Sequence, residues 1–398
     1  MRLMSVDDAR AAVLAEAKPV GAEEVSLAGA LGRVLVRDIV ATRDQPPFAA
    51  SAMDGWAVRA ADCPGRLAVV GESAAGRGFE GCVGQGEAVR IFTGAAMPAG
   101  ADCVVIQEEA RRDGDTVLIE GPADLRHVRP AGGDFRAGDI LLAASVRLDP
   151  WRLSLAAASG SALLRVSRRP RVAILSTGEE VVEPGGDPGP FQIFNSGSTA
   201  LDALVRLWGG EPEVMAPARD APGAVARALQ SVACDLIVTV GGASVGDHDL
   251  VRSDLASLGL RLRVESVTVR PGKPTFFGVL PDGRRALGLP GNPASALVCA
   301  ELFLRPLLMA LQGADPTRPL ATARAGLPLE ANPGREHWLR ARLTQAPDGG
   351  LVATPFPEQD SSLVTVFAGA DVLVRRAAGA PAAVAGEALE VLRLERLA

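Results

Sequence analysis

The sequence predicts a multidomain α/β protein built around a central, doubly wound and mostly parallel sheet. Between residues 171 and 311, fully apolar runs rich in valine, isoleucine and leucine alternate with helical segments. Strands that are apolar on both sides are typical of parallel sheets covered by helices on both faces. Residues 57–142 instead hold short apolar runs separated by glycine, and strand-like runs return after residue 319. These patterns predict a β-rich module before the α/β domain and a small β domain after it.

Composition limits the classes of function. The 398 residues exceed the size of a single core, and 48% of them are hydrophobic, so each of several domains can bury a core. A net charge of -6 argues against a nucleic-acid binder, which normally carries a basic face. The five cysteines are scattered and odd in number, which predicts reduced thiols in a cytoplasmic protein. The acidic amino terminus is unlike a signal peptide, and no apolar run reaches about 18 residues, so we expect no membrane span.

The individual elements follow from apolar spacing. Residues 6–18 predict an amphipathic helix, 27–38 a short helix or turn, and 153–159 a helix before a linker. In the α/β domain we predict strands at 171–178, 211–217, 234–242, 263–269, 275–280 and 285–290, with helices at 199–208, 221–233, 249–259 and 293–311. In the last domain we predict strands at 337–345, 350–356, 370–376 and 388–394.

The strongest local motif is GGASVGDHD at 241–249, directly after a predicted buried strand. Gly241 and Gly242 allow backbone N–H groups to approach a phosphate, and the start of the following helix favours an anion. Asp247 and Asp249 could instead hold a divalent cation that bridges phosphates. An ordinary strand-to-helix turn with an acidic cap would need no ligand and explains the same residues equally well.

A second motif, VRPGKPTFFG at 269–278, places two cations on one loop. Prolines on both sides of Lys273 stiffen the loop, so that Arg270 and Lys273 are suited to a tetrahedral oxyanion or phosphate. Basic loop residues are most often simply solvated. Lys273, however, is one of only two lysines among 41 basic residues, which suggests that a point charge is needed there.

Two further motifs follow predicted strands. In LPGNPASA (289–296), Ser295 and backbone N–H groups could bind an anion, although a proline-containing helix start is an equally good explanation. In STGEE (176–180), Glu179 and Glu180 could be ordinary capping residues. Both loops would lie at the carboxyl edge of the sheet, where α/β proteins bind ligands.

Outside the α/β domain, Asp54 in SAMDGWAV and Thr93 in IFTGAAMPAGAD precede glycine. Such residues usually serve only as turns. The three histidines share no metal-binding spacing, so we assign no zinc or iron site.

Taken in order, SAMDGWAV, IFTGAAMPAGAD, STGEE, GGASVGDHD, PGKP and PGNPASA resemble the molybdopterin molybdenumtransferases, a family that includes bacterial enzymes and the E domain of gephyrin. The resemblance covers essentially the whole chain. It implies a homodimer of four-domain subunits that inserts molybdate into the dithiolene of adenylylated molybdopterin and releases AMP with Mg²⁺ present. It also implies, as partners, the molybdopterin adenylyltransferase and the recipient molybdoenzymes.

The implied domains are a split amino-terminal domain (1–44 and 140–168), the β-rich module inserted into it (45–139), a molybdopterin-binding α/β domain (169–315) and a carboxyl-terminal β barrel (316–398). The resemblance implies roles for individual residues as follows: Asp220 and Asp249 near Mg²⁺ and the phosphates, Glu180 as a functional carboxylate, Gly241, Gly242 and Ser244 at the nucleotide, Arg270, Lys273 and Ser295 at the oxyanion, Arg340 and Ser361 as barrel contributions to the molybdate site, and Asp54 and Thr93 as residues from the partner subunit.

This chain departs from the family pattern at several positions. Arg270 stands where lysine is common, Trp56 where tyrosine is usual and Ala50 where asparagine is usual. Asp360 stands where glycine is expected, which makes the role implied for the neighbouring Ser361 the least certain of the set.

Two other functions are compatible with the motifs. A molybdopterin adenylyltransferase would explain residues 171–311 but not the flanking domains, and a gephyrin-like scaffold would need no catalysis.

Overall fold

The computed structural model describes residues 3–123, 125–242 and 250–396. The chain divides into two compact units. The central unit comprises Met1–Glu24, Gly32–Val36 and Arg165–Ala398, and the inserted unit comprises Val25–Leu31 and Arg37–Leu164. Each unit has its own apolar clusters.

The first elements of the chain are β1 (Leu3–Met4), α1 (Val6–Ala15) and β2 (Ala22–Ser26). The hydroxyl of Ser5 caps α1 by accepting a hydrogen bond from the backbone N–H of Asp8 (3.1 Å), and Val13 of this helix packs into the central core. The predicted helix at 6–18 therefore exists but ends at Ala15. The last turn tightens, because the backbone N–H of Glu16 donates to the carbonyl of Val13 and that of Ala17 to the carbonyl of Leu14, and Pro19 has no N–H with which to continue the helix.

The inserted unit is rich in short strands, as predicted. Its elements are β3 (Ile39–Val40), β4 (Ala50–Ser51), β5 (Gly55–Val58), β6 (Gly65–Ser73), β7 (Glu87–Ile91), β8 (Cys103–Ile106), β9 (Ala110–Asp113), β10 (Thr116–Ile119), β11 (Val128–Arg129), β12 (Ile140–Leu142) and α2 (Pro150–Ala158), with β13 (Leu163–Ser167) after them. Short 3-10 helices occur at Leu27–Gly29, Ala60–Asp62, Gln107–Glu109 and Leu125–His127. Six strands form one sheet in the order β8-β5-β7-β6-β10-β9. Trp56 and Ala57 alternate between two apolar clusters, as expected for a sheet covered on both faces.

The central unit continues with a long series of alternating strands and helices. They are β14 (Arg171–Ser176), β15 (Val181–Val182), β16 (Ile193–Phe194), α3 (Ser196–Leu207), β17 (Glu211–Val214), α4 (Ala224–Leu229), β18 (Leu236–Val240), α5 (Leu250–Ser257), β19 (Arg261–Val264), β20 (Ser266–Val267), β21 (Val269–Arg270), β22 (Phe276–Val279), β23 (Arg285–Leu289), α6 (Pro293–Cys299), a π-helical turn (Ala300–Leu304) and α7 (Arg305–Leu311).

Six of these strands form the central sheet in the order β17-β14-β18-β23-β22-β19. The first four are mutually parallel, and β22 runs antiparallel to both of its neighbours. Ile174 of β14 packs with Leu201 of α3 on one face, and the next residue, Leu175, packs with Leu229 of α4 on the other. The predicted doubly wound, mostly parallel sheet is confirmed.

The run of helix from Pro293 to Leu311 lies in the core. By length and composition this 19-residue segment could cross a membrane, but 89% of its 18-residue apolar window is buried inside the protein. The sequence predicts one continuous helix here, whereas the π-helical turn at Ala300–Leu304 interrupts it.

The last domain is a closed barrel. Its elements are β24 (Ala321–Ala325), β25 (Glu336–Gln345), β26 (Leu351–Pro355), α8 (Val364–Gly369), β27 (Val372–Arg376) and β28 (Ala388–Arg393). The ring β25-β26-β24-β28-β27 closes through pairing of β25 with β27. Alanines such as Ala323, Ala341 and Ala353 fill its narrow interior. The barrel confirms the predicted β domain, although neither β24 nor α8 was predicted.

Candidate functional site

Three strand ends meet at one edge of the central sheet. β14, β18 and β23 are adjacent and parallel, so the loops that follow them lie side by side. The backbone N–H of Thr177 donates to the carbonyl of Val240 (3.0 Å), and that of Gly241 donates to the carbonyl of Leu289 (3.3 Å). The STGEE, GG and PGNPASA motifs therefore border one cavity of about 860 Å³.

Gly241 and Gly242 line this cavity, and both positions require glycine. Their φ angles are +93° and +60°, in the left-handed region that side chains other than glycine rarely adopt. A Cβ on Gly241 would lie 2.8 Å from the carbonyl oxygen of Thr177, and one on Gly242 would lie 2.3 Å from Cγ2 of Val251. The backbone is thus bare where it faces the cavity, which suits close approach of a phosphate.

Two of the predicted carboxylates lie on the same cavity. Glu180 and Asp220 are exposed and line it. The predicted residues Ser244 and Asp249, together with Asp247, lie outside the described residues. Among the described residues, no cluster of three or more histidine, cysteine or acidic side chains could enclose a metal ion.

A buried polar network beneath the cavity was missed by sequence reasoning. The hydroxyl of Ser176 lies 2.6 Å from that of Ser198 and donates to Oδ1 of Asn195 (3.2 Å). Asn195 caps α3 by accepting from the backbone N–H of Ser198 and donates to Glu183 (2.8 Å). These contacts fix the STGEE loop to the start of α3. An Asn-x-x-Ser spacing before a helix is the capping signal that could have identified them.

The barrel reaches the same edge through the segment around Ser361. The carbonyl of Ser361 accepts from the backbone N–H of Ala294 (3.1 Å), and its hydroxyl accepts from Nδ2 of Asn292 (2.7 Å). Ser295, which is buried, follows directly in α6. The structure thus brings together the predicted residues Ser295 and Ser361, and it adds Asn292 to them.

Arg340 is fully buried and only partly satisfied. Its Nη2 donates to the carbonyl of Asp360 (3.0 Å), whereas Nε and Nη1 are buried without a hydrogen-bond partner. Burial lowers the pKa of Arg340, and the positive charge of Arg270 lowers it further. A buried cation with two free donors is an unfavourable arrangement unless an anion binds it. Nη2 of Arg340 contacts the backbone carbonyl of residue 360, which any residue type can supply. This contact with the Ser361 segment is therefore kept although Asp360 stands where glycine is expected.

Lys273 lies on a rigid loop beside the first cavity. The hydroxyl of Thr275 donates to the carbonyl of Gly272 (2.8 Å), and a Cβ on Gly272 would lie 2.2 Å from Sγ of Cys299. Lys273 is half-buried, and its neighbour Pro274 lines the cavity. Arg270, by contrast, lines a second cavity that is bordered by barrel residues.

Asp54 and Thr93 are paired within the inserted unit. Oδ1 of Asp54 accepts from both the backbone N–H and the hydroxyl of Thr93 (2.8 Å each). These two hydrogen bonds, together with the charge of Arg90, lower the pKa of Asp54. Asp54 is half-buried and Thr93 is exposed, so the carboxylate is held ionised and remains partly accessible. The guanidinium of Arg90 lies over the ring of Trp56 (5.3 Å), the residue that replaces the usual tyrosine.

Comparison with known protein families covers most of the chain in three parts. Residues 4–160 match the family described as "MoeA N-terminal region (domain I and II)". Residues 173–310 match the "Probable molybdopterin binding domain", and residues 322–394 match the "MoeA C-terminal region (domain IV)".

Individual relatives agree with these matches. A molybdopterin molybdenumtransferase from a Nostoc strain is 40% identical over 73% of this chain and 70% of its own length. One from Staphylococcus epidermidis is 31% identical over 93% of this chain and 91% of its own. The crystal structure of a molybdopterin biosynthesis MoeA protein from Pyrococcus horikosii superimposes with a TM-score of 0.84 at 32% identity and covers 100% of both chains.

Fold and cavity together define a molybdopterin-binding α/β domain that is flanked by the characteristic terminal domains. The chain belongs to the MoeA family of molybdopterin molybdenumtransferases, enzymes of molybdenum cofactor biosynthesis. Mg²⁺ is the metal that this family is known to use.

Proposed function

We propose that this chain inserts molybdate into the dithiolene of adenylylated molybdopterin and releases AMP in a Mg²⁺-dependent step. The observation that carries the proposal is the convergence of three strand-end loops and the barrel segment of Ser361 on the 860 Å³ cavity. This arrangement offers bare backbone for a nucleotide phosphate, with Lys273 beside the cavity and the buried Arg340 joined to the Ser361 segment as cations for a tetrahedral oxyanion.

The nucleotide end of the substrate belongs at the strand-end loops. Gly241 and Gly242 present backbone without side chains, and we assign the adenylyl phosphates to them, with Ser244 as a further contact. We propose that Glu180, on the neighbouring loop of the same cavity, orients the pterin-linked phosphate through an intervening donor, because two anions in direct contact would repel each other.

The acidic residues fit the chemistry of Mg²⁺. This ion prefers one or two carboxylates, keeps several waters and takes the remaining ligands from substrate phosphates. Asp220 lines the cavity as an exposed carboxylate, and the described residues offer no larger cluster, so a site of this sparse kind fits. We assign Asp220 and Asp249 to Mg²⁺, which would neutralise the phosphoanhydride during cleavage.

The molybdate end of the substrate site needs positive charge without competing carboxylates. We propose that Lys273, Arg270 and Arg340 bind the oxyanion and that Ser295 and Ser361 donate hydrogen bonds to it. The buried donors of Arg340 that have no partner support this assignment. Arg270, in place of the common lysine, keeps the charge and adds a planar set of donors.

We further propose that the chain works as a homodimer in which Asp54 and Thr93 of the partner subunit complete the cleft. The proposed domains are 1–44 with 140–168, 45–139, 169–315 and 316–398. The molybdopterin adenylyltransferase and cytoplasmic molybdoenzymes would supply the substrate and receive the product.

Substrate discrimination tests the proposed reaction. Purified protein is incubated with Mg²⁺ and molybdate, together with either adenylylated molybdopterin or free molybdopterin and ATP. We expect AMP release and molybdenum-containing cofactor only from the adenylylated pterin. Formation of adenylylated molybdopterin from ATP would instead identify an adenylyltransferase. If the protein binds the pterin but catalyses neither reaction, a scaffold is favoured.

A further inference from the structure

A second cavity, of about 660 Å³, opens at one end of the barrel. Its lining includes the polar or charged side chains of Arg270, Glu330, Arg335, His337, Gln359 and Arg376. Three of these are arginines, and Glu330 is the carboxylate among the lining residues. A cavity with this balance of charge is suited to an anion.

Strand register places His337 between two of the arginines. His337 of β25 lies opposite Arg270 of β21 on one side and opposite Arg376 of β27 on the other. Directly opposite residues project from the same face of a sheet, so these three side chains share the cavity end of the barrel. Arg335 precedes β25 and borders the same space.

Two buried nitrogen atoms at this cavity have no hydrogen-bond partner. Nε of Arg376 and Nε2 of His337 are buried without a hydrogen bond, although Arg376 donates through Nη2 to the carbonyls of Glu330 and Pro381. Arg376 is only 7% exposed. Unmet buried donors are costly, and a ligand with several acceptors placed among them would remove that cost.

We propose that this cavity is a second oxyanion site, which takes a tetrahedral dianion such as molybdate before it reaches Arg340, and that His337 gains a proton when the anion arrives. The inference rests on the proposed function and deepens it by adding a capture step for the substrate. Arg270 links the two sites, because it lines this cavity and its charge also acts on Arg340.

The electrostatics of His337 explain the proton. Burial lowers its pKa to about 4, and the charges of Arg270, Arg340 and Arg335 contribute to that shift. Arg376 faces it from β27 and also opposes protonation, whereas the carboxylate of Glu330 on the preceding loop favours it. The imidazole is therefore neutral at neutral pH.

A bound dianion reverses the balance of charge and raises the pKa of His337. Protonation then accompanies binding at every pH between the free and bound pKa values. The affinity accordingly increases as pH falls from neutrality, by at most about tenfold per pH unit for one proton.

Crystals soaked with sodium tungstate, a heavy tetrahedral dianion, test the site itself. We expect one heavy-atom peak beside His337 and Arg376 and a second beside Arg340 and Ser361. A peak at the second position alone would overturn the second site while leaving the proposed function intact. No peak at either position would count against both.

Calorimetric titration with sodium molybdate tests the proton. In buffers of different ionisation enthalpy, the wild-type protein should take up close to one proton per anion at this site near pH 6. His337→Gln should bind like wild type at about pH 8 and several-fold more weakly at about pH 6, where only the wild type gains a charge.

His127→Gln, the same chemical change in the inserted unit, should leave both the affinity and the proton uptake unchanged. Arg335→Gln provides a second test and should weaken binding at both pH values. Equal pH dependence in the wild type and His337→Gln would overturn the inference.

Discussion

Asp54 and Arg340 show how single side chains are prepared for charged ligands in opposite ways. Asp54 is half-buried and accepts two hydrogen bonds from Thr93, which keep it ionised. Arg340 is buried, and two of its nitrogen atoms have no hydrogen-bond partner. The first residue is stabilised in its charged form by its neighbour, whereas the second needs an anion from outside.

The hydrogen bonds from Thr93 should be measurable through the pKa of Asp54. Thr93→Val removes the hydroxyl donor but keeps the backbone N–H, so the pKa of Asp54 should rise towards its usual value without reaching it. Carboxyl carbon chemical shifts followed by NMR during an acid titration would report this change. An unchanged pKa in the variant would show that the hydroxyl does not stabilise the carboxylate.

Lys273 should be essential for function but not for folding. It is half-buried on its loop, and Lys273→Ala removes the point charge that we assign to molybdate. We expect at least a hundredfold loss of molybdate-dependent AMP release, about 3 kcal/mol of transition-state stabilisation, with an unchanged melting temperature.

Lys18→Ala is the matched control, because Lys18 is the only other lysine and is exposed. It should retain wild-type activity. Equal activity of the two variants would remove Lys273 from the site.

At the scale of elements, the site is formed where buried strands give way to glycine. β18 ends at Val240, and Gly241 follows in a left-handed conformation against Thr177. The strand supplies rigidity through burial, and the glycine lets the backbone turn tightly against Thr177 at the cavity.

Gly241→Ala tests this division of roles. Its φ angle is +93° and its Cβ would lie 2.8 Å from the carbonyl oxygen of Thr177. Gly283, at φ +89°, has no heavy atom within 4 Å of its hypothetical Cβ and is the matched control. Both variants should lose about 1 kcal/mol through backbone strain, and Gly241→Ala should lose about 1–3 kcal/mol more through overpacking. Urea unfolding measures both losses, and equal values would show that the close approach to Thr177 has no energetic effect.

Some elements of this structure can be predicted from the sequence, and others cannot. The strands around Ile174 and Val238 were predictable because continuous apolar runs indicate a sheet buried on both faces. The hydrogen bond from Asn292 to Ser361 was not predictable, because it joins residues 69 positions apart and leaves no local pattern. The same holds for the pairing of Arg270 with His337. Family resemblance named the residues of the candidate site, whereas only the structure shows their contacts.

At the scale of the whole molecule, the proposed active site needs parts from different places in the chain. Asp54 belongs to the inserted unit, whereas Lys273 and the cavity belong to the central unit. If Asp54 acts across a dimer, each cleft combines Lys273 of one subunit with Asp54 of its partner.

Mixed dimers test that proposal. Asp54→Ala and Lys273→Ala subunits should each be inactive, but a heterodimer should contain one intact cleft with Lys273 from the first and Asp54 from the second. We expect co-expressed, doubly tagged heterodimers to recover about half of the wild-type activity. If the heterodimer stays inactive while wild-type subunits carrying the same tags are active, Asp54 does not act in trans.

The most direct measurement of the central claim is the stoichiometry of one reaction. Purified protein is mixed with adenylylated molybdopterin, Mg²⁺ and limiting molybdate, and both AMP and pterin-bound molybdenum are quantified. Insertion coupled to cleavage predicts that the two products appear together in a one-to-one ratio and that neither appears without molybdate. Release of AMP at the same rate without molybdate, with no molybdenum in the pterin, would contradict the account.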